Sequence, residues 1–147
     1  MGDSLSTTFG ARIPFVSLLG FELELMEGGR SRLAWEPRPE HLNSFDVVHG
    51  GGVMTLLDVA MAVAARSVDR ELGVVTIEMK TSFMRPSTGR ITAEGLLLHR
   101  TATMAFVEAK VLDANGQPCA HATGTFKYVK RLPTGPKSTQ PFNVPTD

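Results

Sequence analysis

Gly50-Gly51-Gly52-Val53-Met54-Thr55-Leu56-Leu57-Asp58-Val59-Ala60-Met61-Ala62-Val63-Ala64-Ala65 is the stretch that decides the architecture. A surface helix carries one apolar stripe, whereas this segment is apolar on nearly every face, so it reads as a helix buried on several sides. Glycines open it, and Arg66 to Arg70 restores polarity and ends it. Ala60, Ala62, Ala64 and Ala65 keep its surface thin enough for a sheet or a partner to approach closely. Asp58 is its anomaly. A carboxylate among Leu56, Leu57, Val59, Met61 and Val63 must face water, a partner or a ligand, because an unpaired buried charge is costly.

Working outward, Arg12 to Leu19 reads as a short helix that docks through Ile13, Phe15, Val16 and Leu19 and stops at Gly20. Phe21, Leu23 and Leu25 alternate with Glu22 and Glu24, and Leu33 and Trp35 alternate with Arg32 and Glu36. Across Gly28-Gly29 that alternation predicts a β-hairpin with one wet face. Pro37 to Val48, with two prolines, Asn43 and Asp46 and no sustained period, reads as a loop. Beyond the helix come four β-rich runs: Val74 to Met84, Ile91 to Arg100, Met104 to Leu112 and Cys119 to Val129. Turn signals at residues 86–89, 100–103 and 113–116 separate them and predict a meander. Four prolines without apolar periodicity make residues 132–147 an expected extended or disordered tail, leaving one domain over residues 1–131.

One small flat sheet cannot cover so apolar a helix. The expected class is therefore α+β, an antiparallel sheet curled around one long central helix. Such a sheet leaves an edge that two-fold pairing of copies would cover.

Composition excludes several functions. The chain has 147 residues, 42% of them hydrophobic, which suffices for one core. Fifteen basic and fifteen acidic side chains sum to zero formal charge without a block of like sign, so the footprint of a nucleic-acid binder is missing. A single cysteine, Cys119, allows neither an internal disulfide nor a Cys-rich metal site, and a reducing compartment is expected. The first twenty residues show no basic start and no long apolar run, and no stretch approaches the roughly 20 apolar residues that span a bilayer. The expectation is a cytoplasmic protein whose partners are small molecules or its own copies. Met1-Gly2 with Ser6 fits a loose myristoylation pattern, but no polybasic anchor accompanies it.

Backbone N–H groups at a helix N-terminus carry partial positive charge suited to an oxyanion, and glycines let a substrate reach them. A histidine beside them and a carboxylate further along the same helix add a base. Each part also has an ordinary reading: a flexible glycine loop, and an Asp on a narrow wet stripe or in a structural hydrogen bond. Asp46 is the second-choice carboxylate. His41 and Glu40 read as solvated loop residues, His99 and His121 lack metal-ligand spacing, and Cys119 reads as a small packed hydrophobe.

Asn43, His49-Gly50-Gly51 and Asp58, in this order and spacing, resemble the signature of the hot-dog-fold thioesterases of the phenylacetate-pathway (PaaI-like) type. Val75-Thr76-Ile77-Glu78-Met79 with Ser82-Phe83-Met84-Arg85-Pro86 is similar to that family's second segment, and Ala105-Phe106-Val107-Glu108-Ala109 to its third. The resemblance runs from about Leu18 to Val129. It implies hydrolysis of acyl-CoA thioesters with no metal and no cofactor, coenzyme A being part of the substrate. It also implies self-association, as a homodimer or as a dimer of dimers, with each site built across a subunit interface.

By the same resemblance, the N–H of Gly50 polarises the thioester carbonyl, and Asp58 activates water or acts as nucleophile. Thr76 orients the water or the carboxylate, and Asn43 and His49 hold the loop and help with the thioester or the departing thiolate. Gly51, Phe45, Met54 and Phe15 are candidate substrate contacts, each with a structural alternative. Arg85, Arg90 and Arg100 are candidates for the coenzyme A phosphates or are solvated turn residues. Asp46 stands where the family commonly has glycine, and Gly52 exceeds the motif. Two rivals remain: a hydratase or dehydratase on the same fold, which pairs a histidine and a carboxylate within one motif, and a non-catalytic acyl-CoA-binding regulator.

Overall fold

The computed structural model describes Phe9 and residues 11–130. Its elements are helix α1 (Pro14–Leu19), strands β1 (Glu22–Glu27) and β2 (Arg30–Trp35), helix α2 (Gly50–Arg66) and strands β3 (Leu72–Phe83), β4 (Ile91–Arg100), β5 (Met104–Leu112) and β6 (Pro118–Lys130). The α+β hot-dog architecture expected from the sequence is present: one antiparallel sheet around one long helix. Helix α1 begins at Pro14 and not at Arg12, because Ile13 is extended and proline at the first helical position has its φ already set. The expected tail lies outside the described residues.

The expected four-strand meander is corrected. The sheet order is β1-β2-β4-β5-β6-β3, so only β4, β5 and β6 form a meander. β3 pairs with β6 from Leu72↔Lys130 to Phe83↔Ala120 and becomes the edge opposite β1. Tight turns fix the β4–β5 and β5–β6 neighbours. The longer Met84–Arg90 connection fixes no neighbour for β3, and β4 returns instead to β2.

Helix α2 lies directly on the inner face. At Gly95 of β4 an added Cβ would stand 2.5 Å from the Ala60 carbonyl oxygen, and Ser31 Oγ donates to that oxygen at 2.6 Å. The Tyr128 hydroxyl donates to the Ala65 carbonyl at 2.7 Å. Trp35 closes the other end: its Nε1 donates to the Leu19 carbonyl at 2.8 Å, holding α1, while Phe21 meets its ring edge-on. An added Cβ at Gly52 would come within 2.9 Å of the Trp35 ring, which accounts for the third glycine. The outer face is charged, with Arg32, Glu94, Lys110 and His121 in register across β2, β4, β5 and β6. By contrast, β3 exposes Val75, Ile77 and Phe83, followed by Met84.

Candidate active site

The loop before α2 is built around Asn43. Its backbone N–H donates to the Val47 carbonyl at 2.8 Å, while its Oδ1 accepts from the N–H groups of Phe45 at 2.8 Å and Val47 at 3.3 Å. Asp46 takes the left-handed conformation, φ 59°, that glycine would adopt most easily, and Asp is among the side chains that tolerate it. The turn therefore survives the departure from glycine. Val48 N–H then donates to the Ser87 carbonyl at 2.9 Å, tying this loop to the segment after β3.

The loop delivers His49 as the N-cap of α2. His49 Nδ1 accepts from Gly51 N–H at 2.8 Å, and its carbonyl accepts from Gly52 and Val53. A neutral His49 therefore carries its proton on Nε2. These bonds use the N–H groups of Gly51, Gly52 and Val53. The N–H of Gly50 has no acceptor among the described residues, and it is the unspent donor of the helix end.

Asp58 is half-buried, and Thr76 Oγ1 of β3 donates to its Oδ1 at 2.7 Å. Burial pushes the Asp58 carboxyl above the usual carboxylate range, and the Thr76 hydrogen bond partly opposes that rise. The carboxylate opens into a cleft of about 300 Å³ whose other walls include Ile13, Val59, Ala62 and Val74. Gly50 faces a separate cleft of about 370 Å³ with Asn43, Val53, Phe83, Met84 and Arg85. A third, of about 220 Å³, holds His49 and Gly51 beside Trp35, His41 and Phe15. Eight residues along one helix separate Asp58 from Gly50 by about 12 Å, so a single chain does not bring them together.

The remaining candidates divide. Arg85 borders the Gly50 cleft, with one guanidinium N–H donated to Gln117 Oε1 at 3.2 Å. Arg90 is engaged by Glu22 and Glu36, at 3.3 and 3.8 Å. Arg100 lies 4.3 Å over the Tyr128 ring and donates to the Thr101 carbonyl. Neither Arg90 nor Arg100 lines any of the three clefts, and the same is true of Phe45, 82% exposed, and of Met54. His41 is structural: its Nδ1 accepts from Arg38 N–H at 2.9 Å and its ring packs on Trp35. Sequence reasoning missed Ile13 and Val74 beside Asp58 and assigned Phe83 and Met84 no site role. The signal for Phe83 and Met84 was an apolar pair closing a β-rich run just before Arg85-Pro86. Among the described residues no cluster of His, Cys, Asp or Glu is arranged to hold a metal, and no helix is long and apolar enough to cross a membrane.

The model of the thioesterase superfamily matches residues 45–120, which span the helix end, Asp58, Thr76 and β3 to β5. The chain belongs to the thioesterase superfamily. Two relatives from Saccharolobus solfataricus, both provisionally named esterases, are 31% and 33% identical to it. The first covers 75% of this chain and 74% of the relative, the second 72% and 76%. Among solved structures, the Escherichia coli PaaI protein of the phenylacetic acid degradation operon superposes with a TM-score of 0.78 over 87% of this chain and 93% of that one. At 19% identity that likeness speaks for the fold alone. A variant of PaaI from Thermus thermophilus is 26% identical, with a TM-score of 0.72 over 82% of this chain and all of the other. The activity class of this superfamily member is ester or thioester hydrolysis.

Proposed function

We propose that this superfamily member is an acyl-CoA thioesterase whose site is completed by a second copy of the chain. One observation carries the reading. Helix α2 holds at its first residue an N–H that meets no acceptor among the described residues and, two turns on, a half-buried carboxylate that accepts from Thr76. A thioester needs little more: one polarised oxygen, one delivered hydroxide equivalent and a thiolate that leaves without strong acid assistance.

In the proposed reaction the Gly50 N–H of one protomer donates to the carbonyl oxygen. Asp58 of the other takes a proton from water as the water oxygen bonds to the carbonyl carbon. The tetrahedral oxyanion collapses, the C–S bond breaks, and the thiolate departs, to be protonated from Asp58 or solvent. Metal and redox cofactors have no part in these steps. His49 and Asn43 act by position, the first by consuming the competing Gly51 N–H and the second by closing the loop. Arg85 lines the Gly50 cleft, which supports the reading that it meets a coenzyme A phosphate. The edge of β3, unpaired among the described residues, and its exposed Val75, Ile77 and Phe83 are the surface for two-fold pairing. In this reading the cytoplasm supplies the substrate.

The test is thiol release from a panel of short, medium, long and aromatic acyl-CoAs, with Asp58→Asn measured beside the parent. Turnover is expected on at least one substrate and a loss of about 100-fold or more in the variant, the usual scale of general-base assistance. Undiminished hydrolysis by Asp58→Asn rejects the assigned base.

A further inference from the structure

The Asp58 cleft has a wall that comes from outside helix and sheet. Ala11 and Ile13, which precede α1, line it together with Val59 and Ala62 of α2 and Gly73 and Val74 of β3. Two anchors hold that wall in place. Phe9 is fully buried in the core, and Arg66, itself 7% exposed at the end of α2, donates through Nη1 to the Phe9 carbonyl at 2.8 Å. A buried guanidinium is expensive to desolvate unless its donors are used, so this link fixes where the segment runs.

Chemistry then assigns the two clefts. If water is activated at Asp58, the carbonyl carbon sits at the mouth of its cleft, and the two substituents of that carbon must leave in different directions. The Gly50 cleft has an exposed cation, Arg85, suited to the phosphates of coenzyme A. The Asp58 cleft is walled mainly by small apolar side chains, and among the described residues the buried Arg66 is the only cation that lines it. Its volume of about 300 Å³ stands at the small end of ligand sites.

We infer that the segment Ala11–Ile13 is the specificity-determining wall of the acyl pocket, that it restricts the substrate to short or compact apolar acyl groups, and that Arg66 is its positioning residue. The inference rests on the acyl-CoA reading above. Ile13 is the bulkier of the two side chains on that wall, so trimming it enlarges the pocket, and enlarging Ala11 fills it. Each methylene gained or lost in a hydrophobic pocket alters discrimination by roughly 10-fold or more in kcat/KM, so single substitutions here are readable.

The experiment compares kcat/KM across a series of linear acyl-CoAs of increasing length for the parent, Ile13→Ala, Ala11→Leu and Arg66→Lys. Ile13→Ala is expected to raise the ratio of long-chain to short-chain kcat/KM by about 10-fold or more. Ala11→Leu is expected to lower the same ratio. Arg66→Lys, which keeps the charge but loses the planar guanidinium fork, should broaden the length preference by narrowing the spread of kcat/KM between short and long substrates, whereas a merely destabilised fold would lower all rates in proportion. An unchanged order of preference in both Ile13→Ala and Ala11→Leu, with parental melting temperatures, overturns the inference and leaves the thioesterase reading intact. Absence of turnover on every acyl-CoA by the parent overturns both.

Discussion

Asp58 has two opposing influences on its proton: burial lifts its pKa, and the Thr76 hydroxyl pulls it down. If the ionised form is the base, the acidic limb of kcat/KM lies above the ordinary carboxylate range. Thr76→Val removes the opposing donor and moves that limb to still higher pH, with activity recovering on the alkaline side. A limb that stays in place in a pH profile of Thr76→Val would uncouple the two residues. The same shift is a stability statement. A carboxyl with a raised folded-state pKa lends stability that is full below its unfolded pKa and lost as pH rises through the folded value. Asp58→Asn should therefore raise Tm at neutral pH, with the gain vanishing in acid, as thermal melts across pH will report. Gly50 offers a cleaner removal still. It is the first residue of α2, where proline is favoured, and His49 before it is already extended at ψ 135°, as a residue preceding proline prefers. Gly50→Pro thus deletes one N–H while keeping the helix, and the expected result is a fall of about 100-fold or more in kcat with Tm little altered. Equal kcat in Gly50→Pro would place the oxyanion donor elsewhere.

Helix α2 and the strands were legible in the sequence because each obeys a short-range rule. Alternation and turn residues placed β4 and β5 at Ile91–Arg100 and Met104–Leu112, as the structure has them. The position of β3 was not legible, since its partner β6 lies dozens of residues away and no turn chemistry specifies the pairing. Asp58 stood out as a charge in an apolar helix, and the glycine start marked the helix end. The arginines did not separate in the same way. Arg85, Arg90 and Arg100 all border turns, and only three-dimensional neighbours give Arg90 to Glu22 and Glu36 and Arg100 to Tyr128. Close packing between elements is equally hidden, and it has a measurable consequence. At Gly95 the obstructing groups are the Ala60 carbonyl and Ser31 Oγ, whereas at Gly52 the obstruction is the Trp35 ring edge. Gly95→Ala must push helix from sheet, and a loss of about 1–3 kcal/mol or more in denaturant unfolding is expected. An unaffected midpoint in Gly95→Ala would show that α2 does not rest on β4 as described.

Across the whole molecule, the feature that demands explanation is an edge strand of twelve residues with large apolar side chains in water. Soluble proteins rarely leave such an edge open, because its unpaired N–H and C=O groups template association. Closed two-fold symmetry uses that tendency once and terminates it. Thr76, the orienting partner of Asp58, lies on the same strand, so pairing through β3 would seat the carboxylate of each protomer at the interface. Within one chain Asp58 and Gly50 face different clefts. If they meet only across the interface, two dead proteins should repair each other. In a mixed dimer of Asp58→Asn and Gly50→Pro, one site carries both lesions and the other carries neither. Random pairing after co-refolding equal amounts makes about half of the dimers mixed, each with one intact site, so activity should return to about a quarter of the parental rate. A site contained within one chain gives a different outcome, because every site then keeps its own lesion and mixing restores nothing.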